Sequence, residues 1–208
     1  MGASAVTLFN KELQVPINQK INEIPGEVSN YDISAKSTPA DLEVIKNKIL
    51  NTLWQWPKIE INYLSNTGYS RYEDTSIRDA QAVLEGGFTY SASTIEILKV
   101  AYTINYSGSL DAMRFSNGGG LAIKFLGIAS TSTIEIHFYS ELRESAELAQ
   151  HFKNKKKEIL DRIKNALKMN SEFLESKKAV FKATIDQVVD EIYNRNRDDE
   201  SRNALFFN

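Results

Sequence analysis

The residues best suited to chemistry are few. His137 and His151 are the only imidazoles, and no cysteine occurs in the 208 residues. Without thiols there is no disulfide scaffold, no Cys-ligated zinc site, no iron–sulfur cluster and no thiol nucleophile. Two imidazoles make a multi-His metal site hard to build. His137 stands two residues after Glu135, so a strand would carry both on one face as a His–Glu general-base pair. No Gly-x-Ser-x-Gly elbow supplies a nucleophile for it. The plainer reading is two ordinary surface or partly buried histidines. The sequence therefore assigns no catalytic residue, no metal site and no cofactor.

Carboxylates raise a second option. Ile-Glu-Ile occurs three times, at 59–61, 95–97 and 134–136. Three strands could bring Glu60, Glu96 and Glu135 to one sheet face, where they would bind a divalent cation or share a proton. Simple alternation, with isoleucine inward and glutamate toward water, explains the same pattern. Glu96 stands out, because it shares strand parity with Leu98, Val100, Tyr102, Ile104 and Tyr106. Either a bulge near Lys99 flips the phase, or both faces of that strand are covered. Gly118-Gly119-Gly120 lacks the Lys-Ser/Thr of a phosphate loop and precedes a strand, so it reads as a hairpin turn.

Charge and aromatic residues suggest surfaces. Between His151 and Lys182 there are ten Lys or Arg against four acids. Lys153, Lys155, Lys156, Lys157, Arg162 and Lys164 could track phosphates or an anionic surface. They equally suit a solvated helix face with i,i+4 pairs such as Lys157–Asp161. Tyr69, Arg71 and Tyr72 interleave aromatic and basic groups, as single-strand stacking requires, although tyrosine is common in strands anyway. An aromatic-lined pocket between sheet and helices is a further option. The chain closes on Asp198-Asp199-Glu200 and then Leu205-Phe206-Phe207. Three large apolar side chains call for a groove, on the protein's own core or on a partner.

The elements that would position these residues follow from punctuation. All four prolines lie within the first 57 residues and the last glycine is Gly127, so the final 81 residues contain neither breaker. Residues 1–37 read as an extended arm: Leu13, Val15 and Ile17 alternate, and Pro16 demotes them to an edge strand. Residues 38–139 read as an α+β sheet domain. Thr38-Pro39-Ala40-Asp41 starts a helix with the stripe Leu42, Ile45, Ile49 and Leu53. A second short helix starts at Ser76, and Gly86 is a plausible stop. Strands are expected at 58–64, 88–92, 94–106, 121–126 and 133–139, forming an antiparallel sheet.

Residues 140–197 are helical. Steps of 3.6 residues from Leu142 through Ala149, Phe152, Ile163, Phe181 and Val188 to Ile192 are apolar at eleven of fourteen positions. Unbroken, about 51 residues would span on the order of 75 Å. The expectation is thus an α+β fold: an antiparallel sheet with two short helices, then a long C-terminal amphipathic hairpin turning at Met169-Asn170-Ser171, or a rod. A second helix layer or a coiled coil must cover the stripe. Residues 198–208 form an acidic-aromatic tail.

Composition fits a globular protein that needs no staple, with 42% hydrophobic and 25% charged residues. A net charge of −2 excludes a globally basic nucleic-acid binder. The N-terminus has no basic, apolar signal pattern, and no window is apolar enough to span a bilayer. A cytoplasmic location without integral membrane association is the simplest expectation.

Three functions follow. The first is a non-enzymatic structural or interaction protein, forming a homo-oligomer or a subunit of a larger assembly. Its partner-binding residues would be Leu142, Ala149, Phe152, Ile163, Phe181, Val188, Ile192, Leu205, Phe206 and Phe207. The second is a nucleic-acid-associated accessory protein using the Lys153–Lys182 face. The third is a ligand-binding or hydrolytic domain with a pocket between sheet and helices, using Glu96 or Glu135 with His137.

Overall fold

A computed structural model describes residues 4–63, 67–84, 93–117 and 122–207; the side chains of Ile77 and Phe207 lie outside that description. The strand expected at 88–92, the stop at Gly86 and the Gly118–Gly120 turn fall outside the described residues. The elements in chain order are β1 (Ser4–Leu8), β2 (Lys11–Glu12), α1 (Gln14–Val28), α2 (Pro39–Leu53), β3 (Ile59–Ile61), β4 (Thr67–Ser76), α3 (Ile77–Val83) and β5 (Thr94–Gly108). A 3-10 turn (Leu110–Met113), β6 (Phe115–Ser116), β7 (Ile123–Ala129), β8 (Thr133–Ser140) and α4 (Ala146–Phe207) follow. This is the expected α+β class, with an antiparallel sheet, short helices and one long C-terminal helix. No turn interrupts that helix at Met169-Asn170-Ser171.

The chain divides into two compact units: Met1–Lys11 with Pro57–Lys168, and Glu12–Trp56 with Met169–Asn208. These are not consecutive stretches, and α4 contributes to both. Glycine and proline mark local breaks, whereas which elements share a core depends on which apolar faces meet.

Among the described residues unit 1 holds a six-stranded antiparallel sheet in the order β1-β7-β8-β5-β3, with β4 also paired to β5. The register of β5 with β4 runs without a slip from Thr67↔Thr103 to Ser76↔Thr94, and with β8 from Leu98↔Ser140 to Asn105↔Thr133. There is no bulge near Lys99; the strand is covered on both faces. Even-numbered residues Ile104 and Tyr106 join Ile123, Phe125, Ile134 and Ile136 in a core closed by Leu160, Ile163 and Ala166 of α4. The odd-numbered Ile97 instead packs with Ala80 and Leu84 beside α3. That settles the phase of Glu96: its neighbouring isoleucines serve the α3 side. β1 forms an edge by pairing with β7, Ser4↔Gly127 through Leu8↔Ile123. Phe9 then takes φ +56°, the left-handed region, with its ring buried and its N–H donated to the Met113 carbonyl at 2.6 Å. Gly108, at φ +95°, lies so close to Lys58 that a Cβ would collide with its carbonyl oxygen.

Unit 2 is helical. The extended arm expected over 1–37 is corrected here: among the described residues of that stretch only Ser4–Leu8 and Lys11–Glu12 are strands, and Gln14–Val28 form α1. Pro16 falls in the first turn, where its missing N–H removes no helical bond. The short alternation Leu13, Val15, Ile17 gives way to a longer helical spacing, Ile17, Ile24 and Val28, which is buried while Val15 is exposed. α2 starts as expected: Thr38 and Asp41 form a reciprocal capping box with Pro39 behind it. The Thr38 hydroxyl and backbone N–H both donate to Asp41 and hold its carboxyl below the usual carboxylate range. Ile24, Val28, Ile33, Leu42, Ile49 and Leu53 enclose Phe181, Ile185 and Val189 of α4. Lys46 adds ion pairs to Asp190 at 2.8 Å and Asp186 at 3.9 Å.

Candidate functional site

Parity along β4, β5 and β8 creates two different surfaces in unit 1. On the odd-numbered face, Arg71↔Lys99 and Lys99↔Tyr139 are register partners, as are Ala101↔His137 and Thr103↔Glu135. Lys99 is only 9% exposed and His137 5%. Burying such groups is costly unless each is partnered, and each is. Arg71 donates its Nε to Glu73 at 2.6 Å, and Lys99 lies 3.9 Å from the same carboxylate. The Lys99 ammonium also sits 5.9 Å from the ring centroids of both Tyr69 and Tyr139. His137 Nε2 meets Glu135 at 3.1 Å, and its Nδ1 is 3.5 Å from the Tyr139 hydroxyl. Burial, with the negative charge of Glu73 added, pushes the Tyr139 phenol up to about 12. At neutral pH it is therefore a hydrogen-bond donor and not a base.

The expected Glu135–His137 pair thus exists, but its second nitrogen is turned to a phenol and not to an activatable nucleophile. The network satisfies itself. The three-carboxylate option does not assemble: Glu60 faces Ser107 and Glu135 faces Thr103 on odd positions, while Glu96 lies on the opposite face. Among the described residues no group of three or more His, Asp or Glu could hold a metal ion.

The even-numbered face is different. Leu98, Val100 and Tyr102 of β5, with Gly68 and Ser70 of β4, face the start of α4 across an open groove of about 680 Å³. Leu148, Ala149 and Phe152 form its helical wall, and Glu144 and Ser145 stand at its entrance to the helix. Phe152 is fixed from behind by stacking on Phe138, at 5.2 Å between centroids. The Tyr72 hydroxyl accepts the Glu144 N–H at 3.0 Å and ties the pre-helical loop to β4. One turn beyond Phe152, Lys156 Nζ lies 4.7 Å over the Tyr102 ring. Burial, with Lys153 adding repulsion, lowers its pKa.

The residues expected to bind partners separate into three sets. Ile163 and Phe181 are buried in the cores described above, Phe152 is buried against Phe138 at the groove, and Val188 and Ile192 are half-buried in unit 2. The stripe is therefore covered within the chain along two parts, by the sheet from Ile159 to Leu167 and by α1 and α2 from Phe181 to Ile192. Leu142 and Ala149 are exposed, as are Leu205 and Phe206 at 81% and 80%. Residues 198–207 continue α4, and Leu205 and Phe206 do not dock on the protein's own core as one reading of the tail expected. The basic residues do not share one face. At 100° per residue Lys153, Lys157 and Lys164 fall on one flank of the buried stripe, Lys155 and Arg162 on the other. Lys164 sits 5.9 Å over Tyr63.

Sequence reasoning missed Glu73, Lys99 and Tyr139 as members of the polar network, and Leu98, Val100 and Leu148 as groove walls. The signal was present in β5, where both parities are apolar over several residues. No helix of the described residues is long and apolar enough to cross a membrane. No protein family matches the sequence, and no curated protein or solved structure proves similar to it.

Proposed function

We propose that unit 1 is a non-enzymatic ligand-binding domain whose groove, between β4–β5 and the start of α4, takes a small and mainly apolar molecule. The observation that carries this reading is the groove itself. Its volume of about 680 Å³ falls in the range of small-molecule sites, and apolar or aromatic side chains line most of it. Phe152 is held by Phe138 and the loop by Tyr72, so the walls are built before any ligand arrives. The cores of the two units cover the stripe on α4 over 159–167 and 181–192, which removes most of the apolar surface a second chain would have to bury. The cations on α4 lie on two flanks, which does not favour a single phosphate-tracking face.

The test is calorimetric titration of the full chain with 1-octanol, a neutral aliphatic probe. Saturable binding is expected, and Ala149→Trp should abolish it by filling the groove from an exposed position. Octanol binding unchanged in Ala149→Trp would contradict the site.

A second reading, a subunit that docks on another protein, keeps one specific observation in its favour. Leu205 and Phe206 stand exposed side by side on the last turn of α4, behind Asp198, Asp199 and Glu200. Sedimentation of the chain and of a Leu205→Ser, Phe206→Ser variant tests it. Association that disappears in the variant supports docking, and a single monomeric species for both opposes self-assembly.

A further inference from the structure

We infer that the groove's ligand is an amphipathic carboxylate, with its apolar body along Leu98, Val100 and Phe152 and its anionic end beside Lys156 and Lys153. The inference rests on the ligand-binding reading above and adds the ligand's polarity. The groove has unlike ends. Glu144, among the lining residues, stands beside the start of α4. At the other end Tyr102 lies under Lys156, at 4.7 Å. Lys153 and Lys156 are i,i+3 neighbours on α4, close enough for their charges to repel. Lys153 is exposed and Lys156 half-buried. Burial draws the Lys156 ammonium partly out of water, so an incoming anion meets a charge already less hydrated than a surface lysine. A carboxylate placed there adds a favourable contact with both cations. Reversed, the same ligand would bring its charge to Glu144. A cationic amphiphile would suffer at the Lys156 end and gain only at the exposed Glu144 end. The walls between the two ends offer aliphatic and aromatic carbon, which suits an unbranched alkyl chain or an aromatic ring.

The decisive comparison is among octanoate, 1-octanol and octylammonium, titrated separately into the full chain below their aggregation limits. Octanoate should bind about fivefold more tightly than octanol, the factor one partly exposed ion contact supplies. Octylammonium should bind most weakly. Lys156→Gln should bring octanoate and octanol to the same affinity. If Lys156→Gln does not fold by circular dichroism, Lys153→Gln gives the same readout at an exposed position with a smaller loss. Equal affinity for octanoate and octanol, or tighter octylammonium binding, overturns the assignment of charge and leaves the groove standing. Failure of octanol and octanoate alike overturns the ligand-binding reading itself. Retention on phosphatidylserine vesicles without binding of monomeric octanoate contradicts a soluble carboxylate and points to a lipid surface.

Discussion

From Phe152 to Ala166 the long helix lays its apolar residues on the sheet of unit 1, whereas from Phe181 to Val189 it packs against α1 and α2 in unit 2. The sequence pattern is the same along both stretches, but the partner differs. A sheet face is wider than a helical stripe, so sheet residues beyond the stripe are left over. Val100 and Tyr102 are such residues; they stay half-buried and line the groove. In unit 2 the facing surfaces are helical stripes, and Leu42, Ile49 and Leu53 recur at the spacing needed to enclose Phe181 and Ile185. A binding surface therefore arises where the packing partner is broader than the helix. Burial of the stripe shows where the helix is held and says nothing by itself about a partner.

Core substitutions should break this comparison most strongly. Phe181→Ala should cost unit 2 about 3–5 kcal/mol, and Ile163→Ala should cost unit 1 about 2–5 kcal/mol. Both side chains are fully buried. Urea unfolding gives the totals, and amide exchange should assign each loss first to its own unit. Loss of protection spread evenly over both units in both variants would show one cooperative core and not two.

Removal of the α2 cap should act more mildly. Thr38→Ala is expected to cost about 1 kcal/mol, read as a lower urea midpoint. The same box has a pH signature. Because the Asp41 pKa is lowered on folding, its stabilisation is present above the ordinary aspartate value and is lost as pH falls through the folded one. Thr38→Ala should flatten that part of the acid profile.

Lys46 should matter less. It bridges to Asp190 at 2.8 Å, but the aspartate is half exposed. Lys46→Met should cost about 0.5 kcal/mol or less at neutral pH, and raised salt should shrink even that.

Tyr139, whose phenol is pushed up to about 12, has an effect that is read through pH. A folded pKa above the unfolded one stabilises the fold while the group is protonated in both states. The contribution is lost as pH rises from the unfolded value through the folded one. Tyr139→Phe should flatten the decline in stability seen above about pH 10. Burial raises Tyr63, Tyr102 and Tyr106 as well, so ultraviolet titration should show one tyrosine fewer ionising late in the variant than in the parent. A late amplitude that the substitution does not reduce would place the most perturbed phenol elsewhere.

The parts legible in the sequence were those in which one local rule acted alone. The absence of Gly and Pro after Gly127 foretold α4, and Thr38-Pro39-Ala40-Asp41 foretold the start of α2. The alternation in β8 placed Ile134 and Ile136 inward and Glu135 and His137 on the other side. Illegibility began where two rules competed. Pro16 argued for an extended arm, but in a first turn proline is tolerated, and the longer spacing of Ile17, Ile24 and Val28 decided for helix. Glu96 broke its strand's alternation because β5 is covered by α3 on one side and faces α4 on the other, a fact no single-strand pattern contains. The groove depends on residues more than forty positions apart, Leu98 and Leu148 among them. Only the register of β5 and the start of α4 bring them together.

The central claim is that α4's apolar stripe is covered by its own chain over 152–166 and 181–192, and hydrogen exchange across a dilution series tests it most directly. Amides of residues 152–166 and 181–192 should keep the same protection at every protein concentration. Protection in either stretch that falls away on dilution would mean that a second copy covers the stripe, and would contradict burial of α4 within a single chain.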